Sequence, residues 1–210
     1  MISAHDPIPS PSPDLIQAPY LQMASRTSRQ EAHEGEDVMG KRSSFERRPM
    51  DDYATVDPAA VRPLIPHLYT NVETFAEPCA GDGFLVRHLE GYGLRCVYEG
   101  DIRDGRDALT VEWEPADAII TNPPWTREIL HPMIRRFQSI APTWLLFDAD
   151  WAHTRQASPY LPQCSHVVSV GRIKWIPGSK HTGKDNCAWY RFDAGHEGGP
   201  VFVPRLLEAA

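Results

Sequence analysis

Apolar and polar positions along this chain fall into blocks whose period changes, and the changes mark its elements. The run Ala116-Asp117-Ala118-Ile119-Ile120 is short and nearly all apolar, the pattern of a parallel strand buried on both faces. Similar runs predict strands over 72–76, 94–98 and 143–147, with two late strands near 166–176 and 187–192. Helical spacing sets Phe84, Leu85, His88 and Leu89 on one side of a helix from 84 to about 90, which Gly91 and Gly93 end. Ile129, Met133, Ile134 and Phe137 give the same spacing over 126–140. Upstream, order is expected from Asp52 onward; Asp57 reads as an N-cap and Pro58 as a first helical residue. Pro63 and Pro66 limit that helix to short, kinked pieces. Strands alternating with helices predict an α/β fold, a doubly wound, mostly parallel sheet whose C-terminal strand pair is antiparallel.

Residues 1–49 carry no sustained apolar period and are rich in Pro, Ser, Glu and Arg, with prolines at 7, 9, 11 and 13. They are expected to form a disordered N-terminal tail ahead of one domain over 50–210. No apolar run approaches the ~18 residues that span a bilayer, and no secretory signal is visible, so a cytoplasmic location and no membrane partner are expected. Cys79, Cys96, Cys164 and Cys187 are widely spaced with no Cys-x-x-Cys pair, which favours free thiols over disulfides or zinc. The nine histidines form no ligand-spaced cluster, and no metal site is expected. The net charge of −7 is unevenly spread. Residues 1–124 carry a net of −10, whereas 125–192 hold nine Lys/Arg against four acids, a net of +5. A basic second half leaves a polyanionic partner open despite the acidic whole.

The chemistry-bearing residues sit where strands are expected to end. Two consecutive prolines stop the ladder after 116–120, so Thr121-Asn122-Pro123-Pro124-Trp125 leaves a carboxamide, a rigid backbone and an aromatic at a strand's carboxyl end. In open α/β sheets, ligands bind at that edge. Between strand 72–76 and the first helix lies Glu77-Pro78-Cys79-Ala80-Gly81-Asp82-Gly83, whose glycines permit tight turns and close approach. It has neither the Gly-Lys-Ser/Thr of a P-loop nor the third glycine of a dinucleotide fingerprint. Strand 94–98 closes in Glu99-Gly100-Asp101, where a carboxylate can accept ribose hydroxyls; Asp101 is the first choice and Glu99 the alternate. Asp107, before Ala108-Leu109, could accept from an adenine amino group.

In this order the glycine loop, Asp101, Asp107 and Asn122-Pro123-Pro124-Trp125 resemble the S-adenosylmethionine-dependent amino-methyltransferases, most of all the small phage and prophage adenine-specific DNA methyltransferases. The resemblance spans roughly 52–192 and implies a Rossmann-like fold with S-adenosyl-L-methionine as cofactor. Tyr53 and Thr55 resemble that family's cofactor motif ahead of the glycine loop. Cofactor contacts are thereby implied for Tyr53, Thr55, Glu77, Pro78, Gly81, Gly83, Asp101 and Asp107, and catalysis for Asn122, Pro123, Pro124 and Trp125. Trp125 replaces the commoner Tyr or Phe, and no separate target-recognition domain is evident.

An adenine amine is a poor nucleophile because its lone pair is delocalised into the ring. If the Asn122 oxygen and the Pro123 carbonyl accept its two N–H groups, the nitrogen becomes more electron-rich, while Trp125 stacks on the extruded base. Arg172, Lys174, Trp175, Lys180 and Lys184, together with His181, are candidate substrate contacts, cations interleaved with an aromatic; a solvated hairpin is the alternative. Arg135 and Arg136 read as the wet face of their helix. DNA is the expected partner, with RNA possible and a protein partner for target choice conceivable. RNA guanine-amine or protein-glutamine methylation, or a non-catalytic binding module, are the competing readings.

Overall fold

The computed structural model describes residues 53–68 and 72–205, and the tail expected over 1–49 lies outside them. The described residues all fall within the unit Ser43–Ala210. Seven strands form one sheet: β1 (Thr74–Glu77), β2 (Arg95–Glu99), β3 (Ala118–Thr121), β4 (Thr143–Asp148), β5 (Cys164–Gly171), β6 (Cys187–Phe192) and β7 (Val201–Val203). Their order is β2-β1-β3-β4-β6-β5-β7. Strands β1 to β4 pair in parallel, β6 runs antiparallel to both β4 and β5, and β7 is parallel to β5. The expected doubly wound, mostly parallel sheet with a late antiparallel pair is therefore present.

Two helices cover the sheet, α1 (Phe84–Glu90) and α2 (Arg127–Ile140). Strand residues alternate between the faces, as a period of two requires. On the α1 side lie Phe75, Ile120, Trp144, Leu146, Val168 and Trp189; on the α2 side lie Ile119, Leu145, Phe147, Val167, Tyr190 and Phe192. Ile119 and Ile120 are each fully buried on opposite faces, which explains why β3 reads as an unbroken apolar run. From β1 the chain steps outward to β2, whereas from β3 it steps the other way to β4. The reversal opens a crevice above the carboxyl ends of β1 and β3.

Local readings hold with some displacement. Asp57 does cap a one-turn 3-10 helix, Pro58–Ala60, by accepting from the Ala59 N–H at 3.0 Å, and Ile65–His67 forms a second short piece. The α1 face that enters the core is Leu85, Val86 and Leu89, not Phe84 and His88. Phe84 instead lies under the Arg87 guanidinium, 4.6 Å from its ring centre. The strand expected over 166–176 stops at Gly171, where a left-handed φ of +89° breaks the ladder. Strand β7 was not foreseen, because three residues, two of them exposed, carry no readable period. All four cysteines are free; Cys164 and Cys187 are buried, Cys79 and Cys96 half-buried. Burial pushes their thiols up, Cys96 to about 11 and Cys164 to about 12, which suppresses the reactive thiolate. Among the described residues no helix is long and apolar enough to cross a membrane.

Trp189, fully buried on β6, donates its indole N–H to the Ala60 carbonyl at 2.7 Å. That bond ties the segment leading from Tyr53 to the sheet. Trp189→Phe keeps an aromatic but strands a buried carbonyl, and should cost about 1–3 kcal/mol. Urea unfolding monitored by far-UV circular dichroism measures it.

Candidate functional site

Strand β3 is buried at all four positions and ends at Thr121, so Asn122 is the first residue clear of the ladder. Its carboxamide is fixed from both ends. The Asn122 Nδ2 donates to the Tyr53 carbonyl at 2.7 Å, and its Oδ1 accepts from the Trp125 indole Nε1 at 3.2 Å. A carbonyl can only accept and an indole N–H can only donate, so both partners set the same orientation of the amide. One Oδ1 lone pair is left over.

Asn122, Pro123 and Pro124 form one wall of a cavity of about 360 Å³. Tyr53, Thr55, Glu77, Pro78, Gly81, Asp101 and Asp107 line the same cavity. The loop after β1, the end of β2, the segment before β3 and the start of the described chain thus converge at the crevice. The volume falls in the range of small-molecule sites. Gly81 turns there with φ +56°, and a Cβ on it would come 3.4 Å from the Arg103 guanidinium. Gly83 lies outside the cavity wall; its φ of +70° starts α1, and a Cβ would press to 2.8 Å from the Glu99 carboxylate. Glu99, the alternate to Asp101, is likewise absent from the wall.

Glu77 is the most unusual group. It is fully buried, its Oε1 accepts from the Cys79 N–H at 2.9 Å, and its Oε2 has no partner. Burial pushes its pKa up to about 8, opposed chiefly by the nearby Thr121 hydroxyl, which stops short of a hydrogen bond. The Thr55 hydroxyl, also buried, is unpartnered too. Two buried polar atoms without a partner thus lie on residues lining one cavity, and the Glu77 oxygen has room in its chemistry for a donor.

Asp101 is already engaged. It accepts from the Gly81 N–H at 2.8 Å and from the Arg103 backbone and Nε at 2.8 and 2.9 Å. Burial acts to raise its pKa, but these donors outweigh it and hold the carboxyl below its usual range. A carboxylate offers about four acceptor positions, so one remains for a ligand hydroxyl. Asp107 accepts from the Leu109 N–H at 2.9 Å, steadying its own turn. Ile102, 56% exposed at the cavity, escaped the sequence reading, although an apolar side chain directly after a strand-end acid was a usable signal. Leu85, Ile129 and Met133 complete an apolar lining drawn from both helices.

The late residues divide. Trp175 meets the site, its ring 5.6 Å from Trp125 in an edge-on contact and 6.3 Å from Tyr53. Gly183 folds back on it, and a Cβ there would fall 2.7 Å from the Trp175 Nε1. The Lys174 N–H bonds Asp57 at 3.1 Å. Arg172, Lys174, Lys180 and Lys184 do not line the cavity. The wet face expected at Arg135 and Arg136 holds for Arg135, which is exposed, and is corrected for Arg136, which is half-buried. Arg136 donates to the Ala108 and Val111 carbonyls at 3.1 and 2.6 Å, bracing the turn after Asp107, and Arg135 donates to the Tyr160 hydroxyl at 2.6 Å.

No family model and no curated protein matches the chain. Solved structures do. The Pyrococcus horikoshii protein PH1948, a candidate RNA methyltransferase, aligns at 15% identity with a TM-score of 0.50, over 73% of this chain and 93% of that one. The 23S rRNA methyltransferase ErmE aligns at 16% identity and a TM-score of 0.46, over 70% of this chain and 71% of its own. A candidate class I S-adenosylmethionine-dependent methyltransferase from Listeria monocytogenes gives 10% and 0.47, over 72% and 63%. At 15% identity the first likeness speaks for the fold, a Rossmann-like α/β sheet, and the other two add no weight.

The buried Glu77 makes a ligand-free prediction. Its folded pKa, near 8, lies above the ordinary carboxylate value, so the folded state holds the proton more tightly. Stability should therefore fall as pH rises from about 5 to about 8. In Glu77→Gln that slope should flatten, as read by urea midpoints across the range.

Proposed function

We propose that the chain transfers the methyl group of S-adenosyl-L-methionine to the exocyclic amine of adenine in DNA. The observation that carries this reading is the Asn122 carboxamide, oriented from both ends, with a free acceptor position at a cavity that also holds Glu77, Asp101 and Asp107. The residues present fit the cofactor. The partnerless Glu77 oxygen suits a cationic amino-acid end, the remaining Asp101 acceptor a ribose hydroxyl, and Ile102 with Asp107 the face and amine of an adenine. When bound, the cofactor supplies an electrophilic methyl group on a sulfonium.

The chain's own part is to hold and polarise the acceptor. Asn122 Oδ1 and the Pro123 carbonyl accept the two N–H groups of the target amine, drawing its lone pair out of conjugation and aiming it. With the methyl donor bound, attack by that amine would form the N–C bond as the S–C bond breaks, and the proton then released would pass to water. Asn122 does this while neutral, so no general base is needed. Trp125 both steadies the carboxamide and offers an aromatic surface to an extruded base. A cation beside Glu77 would draw its pKa downward, coupling cofactor uptake to proton release near neutral pH.

Asn122→Ala should lower kcat by at least about a hundredfold, the scale of losing a preorganised transition-state contact, while cofactor affinity by calorimetry changes less than about threefold. The substrate is tested by mass spectrometry of nucleosides from DNA and RNA incubated with protein and cofactor. N6-methyladenine in the DNA is the expected product; methyl groups in RNA or protein alone would overturn it.

A further inference from the structure

A second cleft, of about 350 Å³, lies apart from the Asn122 cavity and concentrates positive charge in an otherwise acidic chain. Arg62, Arg172 and Arg205 line it, each from a different segment. None of the three forms an ion pair among the described residues. Among the described residues the one carboxylate on its wall, Asp57, is turned to the backbone, one oxygen on the Ala59 N–H and the other on the Lys174 N–H. Three guanidinium groups against one engaged carboxylate leave an excess of positive charge facing solvent.

The fold makes room for this arrangement. Gly171, at φ +89°, lets the chain turn out of β5, and a Cβ there would stand 3.0 Å from the Arg205 guanidinium. Arg205 is itself exposed, so core packing does not account for that accommodation. Strands β5 and β7 run the same way as β3, so Arg172 and Arg205 leave the sheet at the same edge as Asn122. The Asp57–Lys174 bond further joins the cleft wall to the segment whose Tyr53 carbonyl holds Asn122. Tyr92, half exposed, stands at the cleft as well.

Guanidinium forks match phosphate oxygens two by two, and an extended group of three suits a chain of phosphates better than one isolated anion. We infer that the Arg62–Arg172–Arg205 cleft binds the backbone phosphates of DNA flanking the adenine presented to Asn122, gripping the strand without reading its sequence. The choice of DNA rests on the proposed function; the cleft and its charge do not.

Fluorescence anisotropy of a labelled DNA duplex tests this without methyl transfer. The wild-type chain and the variant Arg62→Gln/Arg172→Gln/Arg205→Gln are titrated between 50 and 200 mM KCl, with circular dichroism and cofactor calorimetry checking the fold. The triple variant should bind at least about tenfold more weakly at low salt, with a log–log salt slope shallower by about two to three, as expected for three lost phosphate contacts. Arg95→Gln, exposed at the opposite, amino edge of the sheet, should leave both nearly unchanged. A folded triple variant with wild-type affinity and slope would overturn the inference. So would arginine-dependent binding of an RNA duplex of the same sequence with none of DNA. Competition by a few millimolar inorganic phosphate that abolishes DNA binding would mark a small-anion site, also against it. If arginine-dependent DNA binding is found but no methyl transfer, the cleft stands and the reading of Asn122 fails.

Discussion

A side-chain amide that is to act as an acceptor must be kept from turning over, since its oxygen and nitrogen are nearly the same size. Asn122 meets that constraint with two partners of opposite kind, the Tyr53 carbonyl and the Trp125 indole. They come from very different places, Tyr53 from the start of the described chain and Trp125 from three residues downstream. The rest of the architecture serves their meeting. Pro123 and Pro124 end β3 beside the crevice, and the Trp189–Ala60 bond and the Asp57 cap anchor the segment that follows Tyr53 and Thr55, which line it. The carboxamide thus depends on packing on the α1 side of the sheet as much as on its own strand.

Much of this was legible in the sequence. The buried strand, its abrupt double-proline stop, the glycine loop and the two strand-end acids each follow from backbone chemistry and apolar period. The structure brings seven of the eight expected cofactor contacts to one cavity and leaves Gly83 to shape the loop. The losses have physical reasons. A single left-handed glycine ended β5 five residues early, and such a turn has no apolar signature. Strand β7 owes its existence to an available edge, not to a pattern of its own. Nor can spacing reveal that Glu77 is fully buried with one oxygen unpaired, or that Arg136 spends its charge on two carbonyls.

The basic second half also resolves into parts with different duties. Trp175 backs the aromatic group at Asn122, Arg136 braces the turn after Asp107, and Arg172 joins Arg62 and Arg205 in a cleft no local motif would assemble. Charge summed along a chain indicates a class of partner; only the fold indicates which cations share a surface.

In the proposed function, Asn122 presents an oriented acceptor to an amine beside a bound methyl donor. A crystal structure with S-adenosylhomocysteine and an adenine-containing DNA oligonucleotide addresses it most directly. The cofactor product is expected in the cavity with its ribose on Asp101 and its amino group at Glu77. Asn122 Oδ1 and the Pro123 carbonyl should each lie within about 3 Å of the extruded adenine amine. A cofactor product bound elsewhere, or Asn122 with its oxygen turned from the base, would contradict it.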